Sequence, residues 1–139
     1  MRKILFLIPL LLLAACEKEI MEADAMGANA GIVGTWVDNG YEEDVTMFER
    51  SETLDASKYG FILGGDGSFV ERKNSGWCGT PPIAYADYEG TWEALSDSLL
   101  EVTVGYWGGV MTYQMRIITL ESDQLKIRYL YADERAQSK

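Results

Sequence analysis

Apolar and polar residues are patterned in three different ways along this chain. Ile4–Leu13 is a ten-residue apolar run broken only by Pro9, half of the ~20 residues that a membrane-crossing helix needs. Glu17–Ala30 has no usable period, because Ile20, Met21 and Met26 form no common stripe. It reads as a flexible arm. From Gly31 onward the period becomes 2, the signature of strands with one buried face. Ile32–Val37 opens the series, and Asp44–Arg50 follows with Val45, Met47 and Phe48. Tyr59–Leu63 alternates through Tyr59, Phe61 and Leu63, and Ser68–Lys73 sets Phe69 and Val70 on opposite faces. Tyr85–Leu95 aligns Tyr88, Gly90, Trp92 and Ala94. Leu100–Val104, Met111–Ile117 and Leu125–Tyr131 each alternate in the same way.

The breaks between these eight segments are short. Gly64-Gly65-Asp66-Gly67 is a strong hairpin signal, since glycine supplies positive φ without steric cost. Ser96-Asp97-Ser98, Gly108-Gly109 and Glu121–Gln124 are further tight turns. The polar stretch Ser51–Ser57 has room for a helical turn. Pro81-Pro82 keeps Asn74–Pro82 out of any central strand. Alternation with short loops predicts an all-β antiparallel fold. Eight such strands best avoid open edges by closing into an up-and-down barrel, with a sandwich as the alternative. A barrel of this size is either filled by its own side chains or holds one small ligand.

Charge and composition narrow the function. The chain of 139 residues has a net charge of −10. Such a surface repels phosphate backbones and anionic headgroups, so nucleic acid is excluded as a partner. There is no histidine, which removes Ser-His-Asp and Cys-His nucleophiles, histidine zinc sites and a histidine haem ligand. No cofactor motif stands out, and the chain reads as a non-enzyme. Of its two cysteines, Cys16 closes the apolar leader and Cys78 lies in the proline-rich loop.

Arg2 and Lys3, the apolar run, and Leu13-Ala14-Ala15-Cys16 together resemble a bacterial lipoprotein signal peptide with its lipobox. The resemblance implies removal of residues 1–15 and fatty acylation of Cys16 (a diacylglyceryl group, palmitate-type chains). Residues 16–30 then form a lipidated tether, 31–133 the barrel domain and 134–139 a tail. The partner implied is the lipid bilayer. The location implied is the cell envelope, and Glu17 after the anchor favours the outer membrane. Loss of residues 1–15 leaves 124 residues, and loss of Arg2 and Lys3 takes the charge from −10 to −12. Cys78 is then the only thiol, so no intramolecular disulfide is possible.

Within the barrel region Gly34-Thr35-Trp36 resembles the G-x-W signature of lipocalins. Asp66-Gly67-Ser68-Phe69 and Gly90-Thr91-Trp92, with its Ser96–Ser98 turn, resemble elements of the lipocalin-like domains of small bacterial lipoproteins of the Bacteroidetes type. What the resemblance implies is a lipocalin-like barrel, sometimes with a cup for an apolar or amphipathic ligand, and no reaction. It also implies that Trp36 packs at the closed end beneath an arginine from the last strand, for which Arg128 is the candidate.

Trp36, Phe61, Trp92, Tyr106, Tyr113, Met115 and Tyr129 sit in alternating positions. They either line a hydrophobic cup or fill the core. Trp77 and Cys78 lie in a loop that either binds or plugs one barrel end. Glu42-Glu43-Asp44 has the oxygen chemistry for a cation but no EF-hand spacing, which favours a solvated loop. Two readings follow: an envelope-anchored carrier of a small apolar or amphipathic ligand, or a structural or interaction lipoprotein with a filled barrel.

Overall fold

The computed structural model describes residues 30–76 and 79–131. Cys16, residues 17–29, Trp77, Cys78 and the tail beyond 131 lie outside the described residues. A short 3₁₀ turn, Ala30–Ile32, leads into eight strands. These are β1 Gly34–Glu42, β2 Val45–Ser51, β3 Gly60–Leu63, β4 Ser68–Asn74, β5 Tyr85–Ser96, β6 Leu99–Tyr106, β7 Gly109–Leu120 and β8 Gln124–Leu130. They close into one antiparallel barrel in which neighbouring strands alternate in direction all the way round. Closure excludes the sandwich, and it leaves no free sheet edge along most of the wall.

The ring order is β1-β2-β8-β7-β6-β5-β4-β3. Strands β3 to β8 form a meander. The β1–β2 hairpin completes the ring with β1 against β3 and β2 against β8. The link from β2 to β3 therefore crosses β1. Its consequence is visible on β1, where Thr35 and Val37 alternate with inward-facing Trp36 yet are only 9% and 4% exposed. Gly60 makes the crossing possible. A Cβ there would stand 2.7 Å from the Trp36 carbonyl oxygen and 3.0 Å from Leu54 of the link. Ser51–Ser57 is thus an irregular strap rather than a helical turn. The strap was illegible in the sequence because its covering role depends on which strand lies beneath it.

The cross-strand register carries one inner face round the barrel. Trp36 opposes Phe61, Phe61 opposes Glu71, and Glu71 opposes Tyr88. On the far wall Trp92 opposes Val102, Val102 opposes Tyr113, and Met115 opposes Tyr129. The core of this inner face includes Ile32, Trp36, Phe48, Phe61, Leu63, Phe69, Leu100, Val102, Met115, Leu125 and Ile127, each at most 1% exposed. Rings pack directly: Phe48 lies 4.8 Å from Phe61, and Phe61 5.7 Å from Phe69. Trp92 is only half-buried, and its indole N–H donates to the Gly64 carbonyl at 2.9 Å.

Two ends are thereby defined. The base holds the 3₁₀ turn and the turns after β3, β5 and β7. The mouth holds the β1–β2 and β6–β7 turns and the loop before β5. β1 runs on to Glu42, beyond the expected end at Val37. Beyond half-buried Asp38 this extension is exposed and its register shifts between Asp38 and Tyr41, so it carries no alternation to read. β3 begins only at Gly60, which pairs with Val37 and Arg72. Among the described residues no strand stands between β1 and β4 above that level, and the mouth wall is notched.

Candidate functional site in the barrel mouth

The base is closed by Trp36. Its indole N–H donates to the Ile32 carbonyl at 2.8 Å. Arg50 from β2 lies over the ring with its guanidinium carbon 4.2 Å from the ring centroid. The same guanidinium donates to the carbonyls of Val33 at 2.9 Å, Gly31 at 2.5 Å and Ser122 at 2.6 Å. It ties together three segments that would otherwise leave unpaired carbonyls. Gly34 has φ +140°, and any Cβ there would collide with the Arg50 guanidinium. The glycine of Gly34-Thr35-Trp36 is thus the space in which the arginine reaches the tryptophan. The arginine comes from the second strand, not the last. Arg128 points outward and pairs with Asp44, its Nε 2.6 Å from Oδ2. Strand alternation decides this: Ile127 and Tyr129 occupy the inner face on either side of it.

Beneath the mouth the inner face changes chemistry. Glu71 of β4 is 4% exposed. Its Oε1 accepts from the hydroxyls of Tyr59 at 2.5 Å and Tyr113 at 2.9 Å. Its Oε2 meets the ammonium of Lys73 at 2.6 Å. The Tyr59 and Tyr129 hydroxyls are 2.9 Å apart. A carboxylate only accepts, so the Tyr59 proton is committed to Glu71 and Tyr129 donates to Tyr59. Five side chains, Glu71 and Lys73 from β4, Tyr113 from β7, Tyr129 from β8 and Tyr59 from the end of the link before β3, thus form one directed network ending on a single carboxylate. Lys73 also lies 5.2 Å from the centre of the Tyr88 ring. Tyr131, which is exposed, stacks on Tyr129 at 6.2 Å and packs 6.1 Å from buried Tyr113, so the aromatic wall reaches solvent at Tyr131.

Burial dominates the acid–base behaviour of this cluster. Desolvation, the first cause, drives the hydroxyls of Tyr59, Tyr113 and Tyr129 well above the ordinary tyrosine range, and the nearby Glu71 charge pushes the same way. Asp38, opposite Phe48 on the same inner face, adds to the effect on Tyr129. All three phenols are neutral donors at any physiological pH.

At the notch a cavity of about 420 Å³ is bordered by Asp38, Tyr41, Lys58, Tyr59 and Tyr85 among others. Of the network, only Tyr59 borders it. A second depression of about 290 Å³, lined by Thr91, Trp92, Glu93, Glu101 and Thr103, lies at the β5–β6 wall. Large apolar side chains are exposed round the mouth at Tyr41, Ile83, Trp107, Val110 and Tyr131.

The residues expected from sequence to line a cup divide between the two ends. Trp36, Phe61 and Met115 have no exposed surface and sit in the packed lower core. Trp92 is half-buried near the Gly64 turn. Tyr113 and Tyr129 belong to the mouth network. Trp77 and Cys78 lie outside the described residues. Glu71, Tyr59, Lys73 and Tyr88 were not anticipated. The signal was present in β4, where Phe69, Glu71 and Lys73 share one face by period 2, so two charges had to follow a core phenylalanine inward. Among the described residues no three Asp, Glu, Cys or His groups converge as metal ligands, and the Asp44 carboxylate is engaged by Arg128. Comparison with family models, curated proteins and solved structures gives no match.

Proposed function

We propose that this protein is a lipid-anchored envelope protein of lipocalin-like type whose barrel mouth takes a small amphipathic ligand without catalysis. One observation carries the reading. A carboxylate with 4% exposure sits inside the barrel, held by two tyrosines and a lysine, directly below the notched mouth. For stability alone, well-packed apolar side chains at these positions serve as well or better. A polar floor beneath an aromatic wall suits a molecule with one polar and one apolar end. The apolar end would lie along Tyr88, Tyr113 and Tyr131, and the polar end would reach Glu71. The filled lower core limits such a ligand to the upper half. The anchoring part of the reading rests on the Leu13–Cys16 lipobox.

The ligand reading is tested by titrating the neutral fluorophore N-phenyl-1-naphthylamine against the protein. Saturable binding at one site is expected, weakened by Tyr88→Ala or Tyr131→Ala and unchanged by Leu95→Ala, a side chain exposed on the remote end of the barrel. Burial of ~300 Å² of apolar ligand surface is worth ~7 kcal/mol before association costs, which sets the expected affinity at micromolar or weaker. Absence of saturable binding leaves the structural lipoprotein reading in its place. For the anchor, Cys16→Ser is expected to release the protein from membranes in fractionation. Retention with an unchanged acyl mass would overturn it.

A further inference from the structure

Building on the reading that the mouth takes an amphipathic ligand, we propose that the head group it selects is an alkylammonium and that Lys73 is a built-in occupant of that ammonium site. Lys73 already displays the recognition chemistry. Its Nζ is 2.6 Å from the Glu71 carboxylate and 5.2 Å from the centre of the Tyr88 ring, with the side chain 18% exposed. An ammonium withdrawn this far from water requires a carboxylate, and it gains from an aromatic face. A ligand bearing the same group finds the same two partners.

The polarity of the network argues against other heads. Every hydrogen bond that Glu71 makes in the network is one that it accepts, and the Tyr129 hydroxyl also points its proton into the chain that ends there. Asp38 shares the inner face. Once Lys73 swings out, the described inner surface of the mouth carries two carboxylates and no cation, while Lys58 stays exposed at the notch. An anionic head would meet the Glu71 carboxylate directly, with the Asp38 charge on the same inner face. A neutral head would leave the carboxylate short of the charge partner it has now.

Lys73 is two residues from Glu71 on the same strand, so it competes as a tethered cation. Its effective concentration is on the order of millimolar or higher. The lysine therefore sets a threshold: a free ammonium succeeds only if an apolar tail adds contacts along the mouth wall. A flexible four-carbon stem lets Lys73 yield its place without moving the backbone.

The barrel closes entirely within Gly34–Leu130, so residues 17–139 are suitable for the test. The probes are octylammonium, octanoate and octanol, which share a tail and differ in head charge. Binding is read by calorimetry at pH 7.5. Lys73→Met is expected to bind octylammonium at least tenfold more tightly than the parent chain. Glu71→Gln added to Lys73→Met is expected to lose at least tenfold. Octanoate and octanol are expected to bind Lys73→Met at least tenfold more weakly than octylammonium does. Lys73→Gln, which keeps a polar side chain, stands in if the methionine variant fails to fold. Saturable binding of octanoate or octanol as tight as that of octylammonium overturns the head-group assignment and leaves the ligand reading standing. An unchanged octylammonium affinity on removal of Lys73 overturns the role of the lysine. Failure of all three probes together with the naphthylamine overturns both readings.

Discussion

At the base of the barrel a cation closes the fold by holding carbonyls, while beneath the mouth a cation that is 18% exposed sits on a nearly buried carboxylate. Arg50 covers Trp36 and gathers the carbonyls of Gly31, Val33 and Ser122. Lys73 makes one ion pair with Glu71 and lies over Tyr88. The two residue types suit these roles. A planar guanidinium bonds several fixed acceptors at once, whereas an ammonium on a flexible stem is a point charge that can leave. The base is therefore built to hold still. The mouth holds its polar groups satisfied in a way that another molecule can imitate.

The sharpest way to break this comparison is at Trp36. Trp36→Ala is expected to cost about 3–5 kcal/mol, read from the denaturant midpoint, because a fully buried indole is lost and its cavity cannot collapse under Arg50. A loss below ~1 kcal/mol would remove the base as the stabilising half.

High pH probes the mouth in turn. Tyr59, Tyr113 and Tyr129 have folded-state values raised by burial, so the neutral form is favoured in the native state. Their contribution is complete below the unfolded value of about 10 and is lost as pH rises beyond it. Each tyrosine then removes ~1.4 kcal/mol per pH unit, so three remove ~4 kcal/mol per unit. Cooperative unfolding above pH 10 is expected, with these three phenols ionising only as the barrel opens. Absorbance at ~295 nm compared with circular dichroism checks it. Gradual ionisation of all eight tyrosines in a still-folded chain would contradict the buried network.

Arg50→Lys tests the guanidinium itself. A lysine keeps the charge but cannot reach all three carbonyls, so a loss of ~2 kcal/mol is expected in denaturant unfolding. Equal stability would mean that charge alone, not the fork, closes the base. The smallest effect is expected from Tyr113→Phe, at ~1 kcal/mol, since Glu71 retains Tyr59 and Lys73. A change as large as that at Trp36 would place the stabilising core in the mouth and reverse the comparison.

Much of this architecture was legible along the chain because alternation is a local property. Period 2 in Leu100–Val104, Met111–Ile117 and Leu125–Tyr131 sets which side chains turn inward, whatever the neighbouring strand. Gly34-Thr35-Trp36 marked the first strand and its buried indole, and Gly64–Gly67 marked a hairpin. There Asp66 Oδ1 accepts from the Ser68 backbone N–H at 3.0 Å and from its hydroxyl at 2.6 Å. The sequence alone therefore determined an all-β chain of eight strands, their inner faces, and the absence of histidine chemistry. The tertiary structure decided the rest. It chose β1, not β2, as the neighbour of β3, and with it the strap that buries Thr35 and Val37. It brought Arg50 of β2 to Trp36. It joined Tyr59 to Tyr129 across 70 residues and Tyr113 to Glu71 across 42. These pairings depend on ring closure and on the stagger between strands, which no local pattern encodes, and a hydrogen bond a few ångströms long exists only once that stagger is set.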